Sequence, residues 1–305
     1  MSQNIANWYR EVIKDKVTVA FQAHGGLLDG TMMSGDIQAN TVKFPTVGRT
    51  EVYKLTGAIE KVPTGGPSLG TVQVTMDDFE ASDWWRTQDA YKAGPNEQQA
   101  LANIIVKAVR RKRDTIKIDA LTAFANLGGS GVTNIGDGTE VIDILHTERA
   151  RAEIAATGAD DTGEVSVFAL FPAMWMSQLA FYKEFADAQW VGLENAPFSK
   201  AQRARMKTVR GVHYIEGPDE YFNEYETGKL EAFMWHRESM GAEMPWNQEA
   251  PSMTQHTEYQ GSPWLIKAGL GGAAIGIQGA GVKRLRMSKI AAPTRPAQPT
   301  IAVTP

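Results

Sequence analysis

Apolar positions along this chain recur at two different periods, and the switch between them separates strands from helices. The stretch Thr41–Thr56 is rich in β-branched and aromatic residues with partial alternation. Leu69–Met76 alternates cleanly, placing Val72, Val74 and Met76 on one face, as a strand with one buried side does. Pro63-Thr-Gly-Gly-Pro67 between them is turn chemistry, so the two stretches read as the arms of a long hairpin. Two strands with so little apolar mass are marginal in water. The hairpin therefore needs a surface supplied from elsewhere, and its tip, Lys61, Val62, Pro63, Thr64, Gly65, Gly66 and Pro67, is expected to lie over an adjacent subunit.

The period changes to helical after Gly94-Pro95-Asn96-Glu97, a start signal with proline in the first turn and a carboxylate near the positive end of the dipole. Leu101, Ile104, Ile105, Ala108 and Val109, then Ile116, Ala120, Leu121 and Phe124, continue one stripe until Asn126 and Gly128-Gly129 end it. A helix of about 30 residues spans roughly 45 Å, against a usual ~11–12 residues. The pattern predicts a structural spine over about 95–126.

Elsewhere the elements are shorter. Ile5, Trp8, Tyr9, Val12 and Ile13 fit a short amphipathic helix over 3–16. Residues 18–40 are glycine-rich and read as extended. Asp77–Lys92 carries Phe79, Trp84, Trp85 and Tyr91, expected to pack at the base of the spine. Gly128–Gly138 reads as a loop, and Val141–Leu145 as a strand or turn leading to a helix over Ala150–Ala156. Glu164–Phe171 is a buried strand closed by Pro172, and Ala173–Ala188 a helix. Strands follow at Gly211–Ile215 and Glu231–His236, and the last structured block is Trp264–Met287. The tail, Ala292–Pro305, holds four prolines and lacks a core. Thr300–Thr304 alternates as a short strand would, so Ile301 and Val303 are expected to dock on a sheet edge or groove of a neighbouring subunit.

Composition narrows the chemistry. With 305 residues, 43% hydrophobic and 22% charged, this is a folded chain, long enough for two subdomains. Zero cysteines remove disulfides, thiolate catalysis and cysteine-based zinc sites. No signal peptide is recognisable, and the longest apolar run, Phe168–Met176, is too short for a bilayer span. A net charge of −4 argues against a dedicated nucleic-acid binder. His24, His146, His213, His236 and His256 lack ligand spacing and read as structural. Gly269-Leu-Gly-Gly-Ala-Ala274 superficially resembles a dinucleotide loop, but too little chain follows for a βαβ unit, so its glycines read as sites of close strand packing. Neither a nucleophile elbow nor a phosphate-binding loop is present. No cofactor, metal or catalytic group is expected.

One charge feature stands out. Arg110-Arg-Lys-Arg113, with Lys107, Lys117 and Asp114, gives six positive and one negative side chain over 107–117. Four consecutive basic residues spread around a helix and cannot form one stripe. A solvated face with Arg110–Asp114 support is one reading. Contact of Arg110, Arg111 and Arg113 with a neighbouring subunit or an enclosed polyanion is the other.

This order of elements resembles the major capsid proteins of tailed bacteriophages with the Hong Kong 97-like fold. Asn40–Gly48 resembles the start of that family's extended loop, and Asp77-Asp-Phe-Glu80 with Trp84-Trp85 its end. Ala108–Asp114 followed by Ile118–Leu121 resembles the spine. Phe171–Trp175, Gly211–Ile215, Phe233–Gly241 and Gly272–Gly276 resemble the later strands in order. The resemblance covers roughly residues 15–290; residues 242–260 and the tail lack a clear counterpart. It implies an α+β fold with an amino-terminal arm (1–40), an extended loop (41–78) and a peripheral domain (79–160 and 266–291). An axial domain (161–265) and the tail (292–305) complete it. It further implies self-assembly as hexamers and pentamers into an icosahedral shell around double-stranded DNA, in a virion assembled in the bacterial cytoplasm. Portal and decoration proteins are implied partners, with no membrane. A chain of this length beginning at Met1 leads us to expect no cleaved scaffolding segment, and so a separate scaffolding protein or unaided assembly. Another self-assembling β-rich surface or shell protein is the alternative, and an enzyme the last.

Overall fold

The computed structural model describes residues 22–50, 52, 66–86, 95–128, 130–159, 166–182, 185, 206–248 and 250–294. The amino-terminal helix expected over 3–16, hairpin residues Lys61–Gly65, and Ile301 and Val303 lie outside them.

The spine is α1, Pro95–Asn126, with the bounds its stripe predicts. It bridges two sheets. Its first half buries Ile105 and Val109 against Trp85, Ile266, Ala268 and Leu270 of a four-stranded sheet. Its second half places Ile118 and Leu121 on a seven-stranded sheet.

The hairpin pairs β2 (Thr41–Val47) antiparallel with β3 (Leu69–Thr75), from Thr41↔Thr75 to Val47↔Leu69. Asp36–Gln38 (β1) adds a third strand. Within the described residues the first arm ends at Val47, short of the expected Thr56: beyond a last bond from Gly48 N–H to the Ser68 carbonyl (2.7 Å), residues 48–50 are not strand. The hairpin root also finds a surface on its own subunit. Val42 and Phe44 are fully buried, and Phe44 fits between Gly35 and Gly241, where a Cβ would come within 2.6 and 2.4 Å of its ring.

The four-stranded sheet is built on β13 (Trp264–Gly276), with β11 (Met240–Asn247) and β12 (Ser252–Gln255) on one side and β4 (Asp77–Trp85) on the other. Its glycines are sites of close packing, as expected: a Cβ on Gly269 would meet the Trp246 ring at 2.4 Å, and one on Gly276 would meet Phe124 at 2.1 Å.

The seven-stranded sheet runs β5 (Thr133–Ile135), β14 (Val282–Ser288), β10 (Lys229–His236), β6 (Val167–Pro172), β8 (Val212–Gly217), β7 (Met206–Val209), with β9 (Glu224–Glu226) on β10. Every residue of β6 is buried because both faces are covered. Val167, Ala169 and Phe171 face α2 (Ile144–Ala155) and α3 (Ala173–Leu179). Phe168 and Leu170 face the spine.

Several expectations change. The 128–138 loop contains β5, paired parallel with β14. The helix expected from Ala150 starts at Ile144, where the Asp143 N–H donates to His146 Nδ1 at 3.2 Å and opens the first turn. Of the helix expected over 173–188, the structure describes α3 to Leu179, a turn at 180–182 and helical backbone again at Phe185, and the other residues of that stretch lie outside the described ones. Pairing also links segments that are distant in sequence. β11 and β12 join the sheet under the first half of the spine, while β5 and β14 join the other.

Candidate assembly surface

Three features stand out around the buried core. The first is the hairpin. Beyond its root, Val47 is 64% exposed, Leu69 80% and Val52 99%. Gly66 and Pro67, the described part of the predicted tip, are exposed as well. Arg49 ties the hairpin to the body, donating from Nη2 to the Thr157 carbonyl at 2.8 Å.

The second feature is the basic run, which meets residues 22–29 of the same chain. Arg110 Nη1 approaches His24 Nε2 at 3.5 Å, Arg111 Nη1 donates to Gln22 Oε1 at 2.6 Å, and Arg113 pairs with Asp29 at 2.5 Å. Lys117, nearly buried, donates to Asp29 and to the Leu28 carbonyl. Asp114 is fully buried and accepts the N–H groups of Leu27 and Leu28 and the Tyr221 hydroxyl. Residues 22–29 thus form a strap across the spine, so close that a Cβ on Gly25 would lie 2.4 Å from the Arg110 backbone. Sequence reasoning missed the strap: its glycines suggest extended chain, and nothing local points to a contact 86 residues away.

The third feature lies at the end of β4. Trp84, 41% exposed, meets the His256 and Tyr259 rings edge-on at 5.2 and 5.4 Å. His256 Nδ1 pairs with Glu258 at 2.5 Å, which draws that carboxyl below the ordinary range. Of the aromatic cluster expected at the base of the spine, Tyr91 lies outside the described residues and the other three divide between faces. Trp85 packs on α1 and Phe79 sits under Lys112 Nζ (4.5 Å), whereas Trp84 turns away.

The histidines hold structural bonds: His146 to Glu140 and the α2 start, His213 to Thr208, His236 to the Glu238 N–H. Among the described residues no group of three or more His, Cys, Asp or Glu could hold a metal ion, and no helix is long and apolar enough to cross a membrane. The exposed apolar side chains on the hairpin and at the end of β4 are surfaces of the class that proteins use for contacts with other molecules.

That class has a specific form here. The phage capsid protein family model matches residues 5–289, and the chain belongs to that family. No curated protein matches the sequence. Among solved structures, the capsid of Ralstonia phage GP4 is similar at 11% identity and a TM-score of 0.65, covering 96% of this chain and 100% of that one. The capsid of cyanophage P-SCSP1u has 10% identity and a TM-score of 0.64, covering 92% and 93%. Mycobacterium phage Che8 has 12% identity and a TM-score of 0.62, covering 90% and 96%. At such identities the likeness establishes the fold, the mixed α+β capsid architecture expected of a Hong Kong 97-like protein. The chain is a major capsid protein of a tailed phage, a self-assembling component of the virion shell and not an enzyme.

Proposed function

We propose that this protein assembles as hexamers and pentamers into an icosahedral shell that encloses double-stranded DNA without reading its sequence. The hairpin carries the reading. It is anchored at its root through Phe44, yet it displays Val47, Val52 and Leu69 to solvent, and apolar side chains placed along one projecting arm call for a partner surface. The tip, Lys61–Pro67, lies over an adjacent subunit in this reading, and Ile301 and Val303 of the tail dock on a neighbour.

The spine with its four-stranded sheet forms the peripheral part, including β11 and β12. The seven-stranded sheet with α2 and α3 forms the axial part, including β5 and β14. Each contact is small, but repetition over the shell multiplies it. Assembly takes place in the bacterial cytoplasm, with a scaffolding protein, a portal and a decoration protein as the candidate partners.

Negative-stain imaging of the purified protein tests this directly. Hollow closed polyhedra are expected. Flat sheets would indicate a surface-layer protein, and discrete small particles at high concentration would refute assembly altogether.

A further inference from the structure

Beyond β14 the chain passes α3, which holds it by its main chain. Trp175 and Gln178 lie one helical turn apart and so share a face of this helix. Trp175 Nε1 donates to the Ser288 carbonyl at 3.2 Å. The Ser288 N–H donates to the Glu140 carbonyl and the Lys289 N–H to the Gly228 carbonyl, both at 2.8 Å, and Ile290 packs against the core. Ala291, Ala292 and Pro293 are then exposed. At Thr294 the chain is caught again. Gln178 Nε2 donates to the Thr294 carbonyl at 2.8 Å, and the Thr294 N–H donates to Gln178 Oε1 at 2.7 Å.

This pair of bonds is a specific grip. A carboxamide offers an acceptor and a donor side by side, as a peptide unit does. Gln178 thus engages both main-chain groups of one residue, as hydrogen-bonded partners in antiparallel strands do. The Thr294 side chain takes no part in the two bonds. Gln178 is 4% exposed, and a buried amide stripped of its partners is costly. The two bonds therefore favour forming together, at the point where the tail begins.

The geometry points to Gln178 as the positioning residue of the carboxy-terminal tail: it fixes where residues 295–305 leave the body, beside α3, for docking on a neighbouring copy of this chain. The inference rests on the tail docking proposed above. It also bounds the partner surface. Ile301 lies seven residues beyond Thr294, a span of at most about 25 Å for extended chain. The neighbour's sheet edge or groove must come within that distance of Thr294.

Two substitutions and a shortened chain test this. Gln178→Leu keeps the side-chain bulk in the core and removes both bonds. Thr294→Pro removes the donor from the tail side and leaves α3 untouched. In free Gln178→Leu subunits, the Thr294 amide should exchange about tenfold faster, with β6 amides unchanged. Shells of both variants should come apart several degrees below wild type. A chain ending at Pro296 keeps Thr294 but lacks Ile301 and Val303. Its shells should lose the same several degrees, and adding Gln178→Leu should cost nothing more. An unchanged exchange rate at Thr294 overturns the proposal. So does a Gln178→Leu loss that persists in the shortened chain or is equally large in free subunits, since either shows a purely internal role. Thr294→Pro shells at wild-type stability would overturn it even if Gln178→Leu fails to fold. Shells of the Pro296 chain as stable as wild type refute the docking of the tail itself, and this inference falls with that reading.

Discussion

Tyr221 donates its phenol O–H to Asp114 at 3.0 Å, joining residues 107 positions apart at the point where strap, spine and seven-stranded sheet converge. Asp114→Ala orphans this hydroxyl and the N–H groups of Leu27 and Leu28. Each buried unpaired donor costs about 1–3 kcal/mol before relaxation, so a loss of roughly 3–5 kcal/mol is expected. Tyr221→Phe should cost only about 1 kcal/mol. Urea unfolding of free subunits checks both, and near-equal losses would show that Asp114 is not the hub.

The close approach of Gly276 to Phe124 makes a packing prediction. A methyl group there would sit 2.1 Å from the ring, far inside contact distance. Gly276→Ala should destabilise the subunit by about 1–3 kcal/mol through overpacking. Combined with Phe124→Leu it should cost less than the sum of the two single changes, because both act on one gap. Additive losses in a double-mutant cycle would place the strain elsewhere.

The basic run should act on the strap. Arg113 is mostly covered and Asp29 is 45% exposed, so their pair is worth little in isolation. Replacing Arg110, Arg111 and Arg113 together by Gln removes three contacts at once. Faster hydrogen exchange at residues 22–29 is expected, with genome content of shells unchanged. Salt-dependent loss of packaged DNA with intact shells would assign the arginines to the lumen instead.

Tyr214 predicts an alkaline limb. It is 2% exposed between Phe171 and Phe185, and burial pushes its phenol up to about 12 from 10.0. A raised value in the folded state means that its contribution is complete below about pH 10, the unfolded value. Above that, the unfolded chain ionises first, and stability falls by about 1.4 kcal/mol per pH unit until the folded value is reached. Burial and the neighbouring Asp114 move Tyr221 in the same direction. Tyr214→Phe should therefore flatten the alkaline decline in a urea titration without abolishing it. An unchanged limb would exclude Tyr214 as its source.

Deleting residues 53–65 should spare β2, β3 and the Phe44 anchor. The expected product is a soluble, folded subunit that no longer yields stable shells. Normal particles from this deletion would show that the tip makes no necessary contact.

The spine was legible because a helix stripe is local: Pro95 sets its start, Asn126 and Gly128 its end, and Leu101, Ile105, Val109 and Leu121 repeat at its period. The pairing of the hairpin arms was legible for the same reason, since alternation at Val72 and Val74 needs no partner to be read. β6 could be recognised as buried from its unbroken apolar run. The absence of cysteine likewise removed disulfides and thiolate chemistry at the level of sequence.

Everything joined over long separations had to wait for the fold. β5 is three residues with one buried side chain, and it is a strand only because β14, about 150 positions later, lies beside it. β4 alternates weakly, and its ladder with β13 spans Trp85↔Trp264 to Asp77↔Gly272. The basic run reads as a spread of charge until Gln22, His24 and Asp29 arrive over it. Periodicity and turn chemistry are properties of neighbouring residues, so sequence alone determined the elements and their order. Sheet membership and the strap over the spine depend on which distant surfaces pack together, and only the tertiary structure decides that.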